Sequence, residues 1–392
     1  MIDPRRFDLP ARIVAAVLIV LSLAARTHAA DSGSFIVMLG RDTTSIEQYT
    51  RTPARLDVHQ VGRSPSVLRR HYVYEFKSGA ITRLSMVATP PGSTTPTQTT
   101  EASFGPDSMR MTSQSGSAPA QNVVLALPAN TIVVTNASPW VGYETAVVKL
   151  VASKKDSLRV PLYFLGGQST NWLTVSKLGR DSVEIRTDRP DVYRARVDKS
   201  GNLVGVLPLV GTAKFTVTRV NRLDLEGMTA GFVAREKAGA GLGTLSPRDT
   251  VQAQAAGAAI WIDYSRPSKR GRVVFGGVVP FGEVWRTGAN AATQFKTDKS
   301  LDFSGTVVPA GFYTLFSIPG PSGWKLIINS ETGQPGTARD PAKDVYTIDL
   351  AVTALPEVAE RFTIAVDPTP QGGVLRLDWD TTRASAPFAV RQ

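Results

Sequence analysis

The sequence predicts a mainly β protein: an antiparallel half-barrel-like sheet with one helix, followed by a β-sandwich or jelly-roll-like domain. Three observations support this prediction. Apolar and polar residues alternate along most of the chain, as they do in half-buried strands. Clusters of Gly, Pro, Asn and Asp separate these runs as turns do. A glycine-rich, non-periodic stretch at 237–244 interrupts the alternation and reads as a domain linker.

Residues 1–29 have the organisation of a secretory signal peptide. Arg5, Arg6 and Arg12 give a basic start, an apolar run of 13 residues extends from Ile13 to Ala25, and small residues follow near Ala29. A membrane-spanning helix needs ~20 apolar residues, so we expect cleavage rather than a retained transmembrane anchor. The sequence therefore predicts an exported protein of the periplasm or the extracellular space.

Composition limits the chemistry of the remaining chain. There is no cysteine, which excludes disulfides, thiolate nucleophiles and cysteine metal ligands. The net charge is +11, of which residues 1–29 carry +2 and the region from Leu245 onward +1, leaving +8 on the section between. A basic section favours anionic partners such as envelope polymers or lipid headgroups. Export argues against nucleic acid as the partner.

The region 30–236 is predicted to be the first β-rich domain. Alternating runs such as Tyr72–Phe76 and Leu158–Phe164 indicate its strands. Ser138 and Pro139 suit a helix start, and apolar residues at helical spacing follow, which predicts one helix over about 139–153. A meandering sheet with one helix resembles, in architecture only, the half-barrels of periplasmic lipoprotein carriers.

Such a sheet can enclose an apolar ligand, and Met86, Met109 and Met111 are candidate lining residues for a lipid. The alternative is that these methionines fill the core beneath the helix. The sequence favours core filling, because apolar residues on a strand are more often packing residues than ligand contacts.

The region 245–388 carries about eight short strands with Gly and Pro turns, which predicts a β-sandwich. Its ordered motifs are Ser246-Pro247-Arg248, Tyr264–Ser268 followed by Lys269-Arg270-Gly271-Arg272, Val279–Asn290, Pro309-Ala310-Gly311 and Ile318-Pro319-Gly320. In these motifs the region resembles the exported bacterial family called domain of unknown function 2911. The resemblance implies an exported domain of no established activity. Ala291 departs from the family pattern, which has a glutamate at this point.

Two motifs suggest a ligand site in this second domain. Cations are concentrated between Ser265 and Arg272, and an indole, a guanidinium and an amide follow in 285–290. An aromatic plate beside Arg and Asn donors suits sugars or anionic ligands. The predicted ligand-binding residues are Arg266, Lys269, Arg270, Arg272, Trp285, Arg286 and Asn290. The alternative is structural, with Trp285 in the core and Arg286 paired to an acid such as Glu283.

The sequence allows few catalytic mechanisms. Beyond the predicted signal peptide, the histidines are His59 and His71, which fall on strands and are expected to be structural. The second domain therefore has no histidine for a Ser-His-Asp triad or a metal site, and we expect neither a metal nor a cofactor. Lys269 could pair with Ser265 or Ser268 as a base. Asp378 and Asp380 should share a strand face, as an acid–base pair, as ligands for a hard cation or, as the sequence favours, simply as solvated carboxylates.

The leading function predicted from the sequence is a non-enzymatic envelope or secreted protein that binds an anionic or carbohydrate ligand. A carrier of a lipophilic molecule in the first domain is the second hypothesis. A hydrolase acting on envelope polymers is the third.

Overall fold

A computed structural model describes residues 31–135, 139–188, 191–211 and 214–391. The fold is mainly β, as the sequence predicts, and its strands form two large open sheets, which is consistent with the predicted half-barrel and sandwich. The predicted signal peptide and Ser138 lie outside the described residues. Over the residues described, no helix has the length and apolar character needed to cross a membrane.

Fifteen strands of the described chain form the first sheet. Their bounds are β1 Asp31–Leu39, β2 Asp42–Arg51, β3 Arg55–Gly62, β4 Leu68–Lys77, β5 Ala80–Thr89, β6 Gln98–Phe104, β7 Ser108–Ser115, β8 Gln121–Ala126, β9 Ile132–Val134, β10 Ser157–Phe164, β11 Asn171–Lys177, β12 Ser182–Thr187, β13 Val192–Val197, β14 Leu203–Val210 and β15 Phe215–Val220. Two meanders, β1–β8 and β9–β15, join where β1 pairs with β15. Only β9 and β10 run parallel among these pairs.

Helix α1, Trp140–Ser153, packs on one face of this sheet. Its start matches the predicted one, since Pro139 is the extended residue before the first helical turn. Trp140, Val147 and Leu150 are buried in one core with strand residues such as Tyr72 and Met109. Alternation along each strand therefore supplies the face that the helix covers.

A second helix, α2 Leu225–Arg235, corrects the prediction of a single helix. Asp224 caps it by accepting a hydrogen bond from the Gly227 amide at 2.8 Å. The glycines within it weaken its intrinsic helix propensity, so packing against the other face of the sheet through Phe232 stabilises it. A π-helical turn, Glu236–Ala240, follows, so the predicted linker at 237–244 begins inside a helical turn.

Nine strands within the described residues form the second sheet. Their bounds are β16 Arg248–Ala255, β17 Ala258–Ser265, β18 Thr293–Thr297, β19 Ser300–Phe303, β20 Thr306–Val308, β21 Gly311–Ile318, β22 Gly323–Asn329, β23 Asp344–Thr369 and β24 Gly372–Arg391. The order is β16-β17-β18-β21-β22-β23-β24-β19-β20. The long β23–β24 hairpin has register shifts near Ala354, Ala359 and Thr363, and such irregularities bend a strand pair.

An irregular segment, 266–292, connects β17 to β18 and contains most of the sequence motifs. It is tied to the strands at isolated bridges, Ser268 to Arg361 and Trp285 to Ser317. These bridges hold the segment against the sheet, where it covers part of the core of the second sheet.

Candidate functional site

Trp285, the predicted stacking plate, is a core residue. Its side chain is 4% exposed, and its ring stacks on Trp379 with centroids 5.8 Å apart. Phe362 packs against it edge-on at 4.9 Å, and its indole N–H donates to the Gly288 carbonyl at 3.0 Å. The prediction of an open aromatic platform at Trp285 is therefore replaced by a buried aromatic cluster.

Three of the predicted cations are bound to separate acids. Arg266 donates to Asp249 at 2.9 Å, and Lys269 is paired with Asp380. Arg270 is 8% exposed and donates to Asp42, on the first strand pair of the other domain, at 2.6 Å. Cations that satisfy internal carboxylates gain little from an external anion, so this part of the predicted binding surface does not form a shared patch.

The remaining predicted residues meet at one cleft. Arg272 donates to the carbonyls of Ser268 and Lys269, at 2.6 and 3.0 Å, and burial lowers the pKa of its guanidinium to about 10. Arg286 donates to the carbonyl of Asn290 at 3.0 Å. Burial also lowers the pKa of Arg286, while Asp191 of the first domain opposes that shift.

We call this feature the junction cleft; it has a volume of about 220 Å³ and lies between strands of the first sheet and the irregular segment 266–292. It is lined by Leu39, Phe215, Leu245, Ser246, Pro267, Ser268, Arg272, Val278, Val279, Trp285, Arg286, Gly288, Ala289, Asn290 and Trp379. The first domain thus supplies one wall and the motif segment the other. Four of the seven residues predicted from the sequence line it.

A larger cavity adjoins the cleft on the side of the first domain. This N-terminal cavity has a volume of about 500 Å³ and is lined by Thr44, Ser45, Gln60, Gly62, Arg63, Ser64, Arg70, Tyr72, Met86, Gln98, Thr100, Met111, Ser113, Thr135, Leu165, Gly166, Phe215 and Leu245. Phe215 and Leu245 line both spaces, so the two form neighbouring compartments of one interdomain site.

Two arginines define the charge of the N-terminal cavity. Arg63 is 6% exposed; it donates to the Thr43 carbonyl at 2.8 Å, and its guanidinium lies 4.4 Å from the Phe232 ring centroid. Burial lowers the pKa of Arg63, and the neighbouring Arg235 lowers it further. Arg70 passes over Gly62, where an added Cβ would lie 2.7 Å from its Nη1. Asp42 and Glu236, which do not line the cavity, oppose this shift in the pKa of Arg63.

The apolar side of the cavity includes two of the three methionines considered from the sequence. Met86 and Met111 line it, whereas Met109 is fully buried in the core. Tyr72 lies beside them, and burial raises the pKa of its phenol to about 12. The cavity therefore combines an apolar wall with a cationic one.

The proposed acid–base groups of the second domain are held apart. Asp378 accepts two hydrogen bonds from Arg383, both at 2.8 Å, and one from Arg376. Asp380 has a left-handed φ of 57°, which breaks the strand alternation, and it binds Lys269. Lys269 is therefore engaged with a carboxylate rather than with Ser265 or Ser268.

Sequence reasoning missed Arg63, Arg70, Gln60 and Thr100. A signal was present, because Gln60, Arg70 and Thr100 fall on the apolar face of strands that otherwise alternate regularly. Polar residues on a core-facing side indicate either a buried network or a ligand space. Their convergence with Phe215 and Leu245 depends on long-range pairing that local patterns do not specify.

Comparison with known proteins places only the second half of the chain. Residues 246–388 match the family described as "Protein of unknown function (DUF2911)". No curated protein matches the chain. A crystal structure of a DUF1089 family protein from Pseudomonas aeruginosa is 10% identical, with 43% of this chain and 91% of that chain covered and a TM-score of 0.30. Isotype 1 transferrin binding protein B from serogroup B Neisseria meningitidis is 9% identical, with 90% and 66% covered and a TM-score of 0.14. Similarity this low carries no conclusion about this chain.

Proposed function

We propose that this protein, whose residues 246–388 match the family described as "Protein of unknown function (DUF2911)", binds an anionic amphiphile without transforming it. The ligand occupies the N-terminal cavity and directs its charged end to the arginines there. The junction cleft extends the site into the family domain. The signal-like segment at 1–29 supports a location outside the cytoplasm.

The observation that carries this proposal is the charge of the lining. The described residues that line the N-terminal cavity include Arg63 and Arg70 and no aspartate or glutamate. Guanidinium groups bind carboxylates, sulfates and phosphates with charge-assisted hydrogen bonds. A partly desolvated cationic wall therefore favours an anionic group that enters from outside.

The second support is the shape and polarity of the N-terminal cavity. Met86, Met111, Leu165 and Phe215 also line the cavity and supply its apolar surface. A volume of about 500 Å³ lies within the ordinary range of small-ligand pockets. Methionine side chains adapt to ligands of irregular shape because they are unbranched and flexible. These residues suit the alkyl portion of an amphiphile.

The lining also favours binding over catalysis. General acid–base catalysis usually employs His, Asp, Glu, Lys, Tyr or Cys. Among the described lining residues, only Tyr72 belongs to that group, and burial raises the pKa of its phenol to about 12. Such a phenol is a poor base near neutral pH.

Calorimetric titration with dodecanoate and with dodecanol, both below their aggregation concentrations, tests the proposal. Dodecanoate should bind with 1:1 stoichiometry and more tightly than the neutral alcohol. Arg70→Gln should weaken dodecanoate binding by at least about tenfold, since Arg70 lies on the same strand face as Tyr72 and a hydrogen bond to a charged group contributes ~1.5–3 kcal/mol. Arg110→Gln is the matched control, because Arg110 is exposed between Met109 and Met111 and faces away from the cavity. Equal affinity for the two ligands, or equal loss in both variants, would refute the proposal.

A second candidate, carbohydrate binding, is supported by a different surface. Trp261 and Phe312 lie edge-to-face, with centroids 6.0 Å apart, in an open depression of about 840 Å³ on the second sheet. Gln252, Gln254 and Lys296 border the rings with hydrogen-bonding groups. A glycan-array signal that Trp261→Ala abolishes would support this site, and a signal that survives the change would reject it.

A further inference from the structure

A cluster of three potential metal ligands lies on the first sheet, on the side of the sheet opposite the N-terminal cavity. His59 on β3 and His71 on β4 are directly paired across the two strands. Their rings stack with centroids 4.3 Å apart and an interplanar angle of 4°. Asp57, two residues before His59, therefore projects to the same side. Strand pairing thus brings together residues whose spacing in sequence suggested no site.

The ligand atoms of this cluster converge. Asp57 Oδ1 lies 2.8 Å from His71 Nε2 and 3.4 Å from His59 Nε2. All three ligand atoms lie within 4.8 Å of one another. In a tetrahedral zinc site with bonds near 2.1 Å, neighbouring ligand atoms are about 3.4 Å apart. We propose that Asp57, His59 and His71 bind a zinc ion.

The surroundings hold the carboxylate in the required orientation. Arg55 donates to Asp57 Oδ2 at 2.9 Å, which leaves Oδ1 directed at the two imidazoles. Outer partners of this kind orient ligands in metal sites. Arg69 lines the same depression, but a two-point hydrogen bond with Glu226 of α2 compensates its charge.

The site is accessible and has room for further ligands. The side chains of His59 and His71 are 55% and 42% exposed. They border a depression of about 560 Å³ that is also lined by Pro90, Gly92 and Ser93. Because the rings are parallel, a shared ion requires rotation of a ring about its Cβ–Cγ bond, which this exposure permits. Three protein ligands leave a zinc coordination position for water or a ligand, as in exchangeable rather than closed structural sites.

Imidazole and carboxylate donors select zinc over calcium or magnesium, which prefer oxygen ligands. The proposed site departs from the expectation, drawn from the sequence, that both histidines are structural and that there is no metal site. The three proposed ligands do not line the N-terminal cavity, although Gln60 and Arg70 border both spaces.

Equilibrium dialysis of the whole chain, purified without an affinity tag, with zinc and separately with calcium tests the site. One zinc ion should bind per chain, and calcium should not bind at the same concentration. His59→Ala, His71→Ala and Asp57→Asn should each weaken zinc binding by at least about tenfold. Asp107→Asn, which changes an exposed carboxylate in the turn before β7, should not.

Proton NMR of the imidazole signals adds a residue-specific measurement, because the sequence contains three histidines in all. Zinc should shift the signals of His59 and His71 together; His28 lies in the predicted signal peptide and is lost on cleavage. Absence of binding at millimolar zinc, or unchanged affinity in either histidine variant with folding intact by circular dichroism, would overturn the site.

Discussion

Arg270 and Asp42 form an ion pair of 2.6 Å that joins the family domain to the start of β2 in the first domain. The Arg41 amide donates to the Arg270 carbonyl at 3.1 Å beside this pair. The Arg270 amide, in turn, donates to Glu360 at 2.8 Å. A residue that the sequence suggested as a ligand contact is therefore the point at which the two domains are fastened together.

Asp42→Asn should lower the free energy of unfolding by about 3 kcal/mol, because it leaves the buried Arg270 guanidinium without its carboxylate. Chemical denaturation measures the change, and faster proteolysis near 237–244 would report loosening of the domains. Asp349→Asn, in the exposed pair with Lys325, is the matched control and should leave stability unchanged. Equal effects of the two substitutions would contradict a special role for the Arg270 pair.

Gly40 provides a second test of the same contact. Its φ is 60°, and an added Cβ would lie 2.1 Å from the Arg270 carbonyl oxygen. Gly79, at φ 79° in another hairpin turn, has nothing within 4 Å of that position. Gly79→Ala should lower the free energy of unfolding only by the ~1–2 kcal/mol that a non-glycine residue needs to adopt the left-handed conformation. Gly40→Ala should lower the free energy of unfolding by about 1–3 kcal/mol more than Gly79→Ala, because the backbone segments at Gly40 and Arg270 must move apart. Chemical denaturation measures the difference. Equal costs would mean that the turn does not dock as described.

Trp285→Ala should destabilise the protein by about 3–5 kcal/mol, the usual cost of truncating a buried tryptophan. The indole packs against Trp379 and Phe362, so its loss creates a cavity in the core of the second domain. Trp261→Ala is the matched control, since that indole is partly exposed and its loss should cost about 1 kcal/mol or less. Similar thermal denaturation midpoints for the two variants would argue against the core role of Trp285.

The sequence predicted those features that depend on local patterns. Alternation predicted the strands, and helical spacing with Pro139 predicted α1 almost to the residue. Helix α2 was missed because its apolar face is short and interrupted by Gly227 and Gly231. Its stability comes from the sheet beneath it, which lies far away in sequence.

The candidate site could be predicted only in part for the same reason. Arg272, Trp285, Arg286 and Asn290 lie close together in sequence, and the structure does place them around one cleft. Whether a given arginine is available depends on acids such as Asp42 and Asp249, which sequence spacing does not pair with it. Local patterns likewise did not predict the role of the buried Glu144. It accepts a hydrogen bond from the Leu203 amide at 2.8 Å and pairs with Arg219.

Stability should fall as the pH rises from 10 to 12, and Tyr72 should account for part of that fall. Burial raises the pKa of its phenol from 10 to about 12 in the folded protein. In this window the unfolded chain loses the phenol proton while the folded chain retains it, so ionisation favours unfolding. The stabilisation is complete below pH 10, and about 2–3 kcal/mol is lost by pH 12, at 1.36 kcal/mol per pKa unit.

Urea denaturation of the wild type and Tyr72→Phe at intervals of pH measures this contribution. The variant lacks the ionisable group, so its stability should decline less steeply between pH 10 and 12. The variant also loses the 3.5 Å contact from the Tyr72 hydroxyl to Gln60, so its free energy of unfolding should differ from that of the wild type by a constant amount already present below pH 10. Burial and hydrogen bonding also raise the pKa of Tyr49 in both proteins, so the difference between the curves isolates Tyr72. Parallel curves across the window would show that Tyr72 ionises as readily in the folded protein as in the unfolded chain, and that the wall of the N-terminal cavity is open to water.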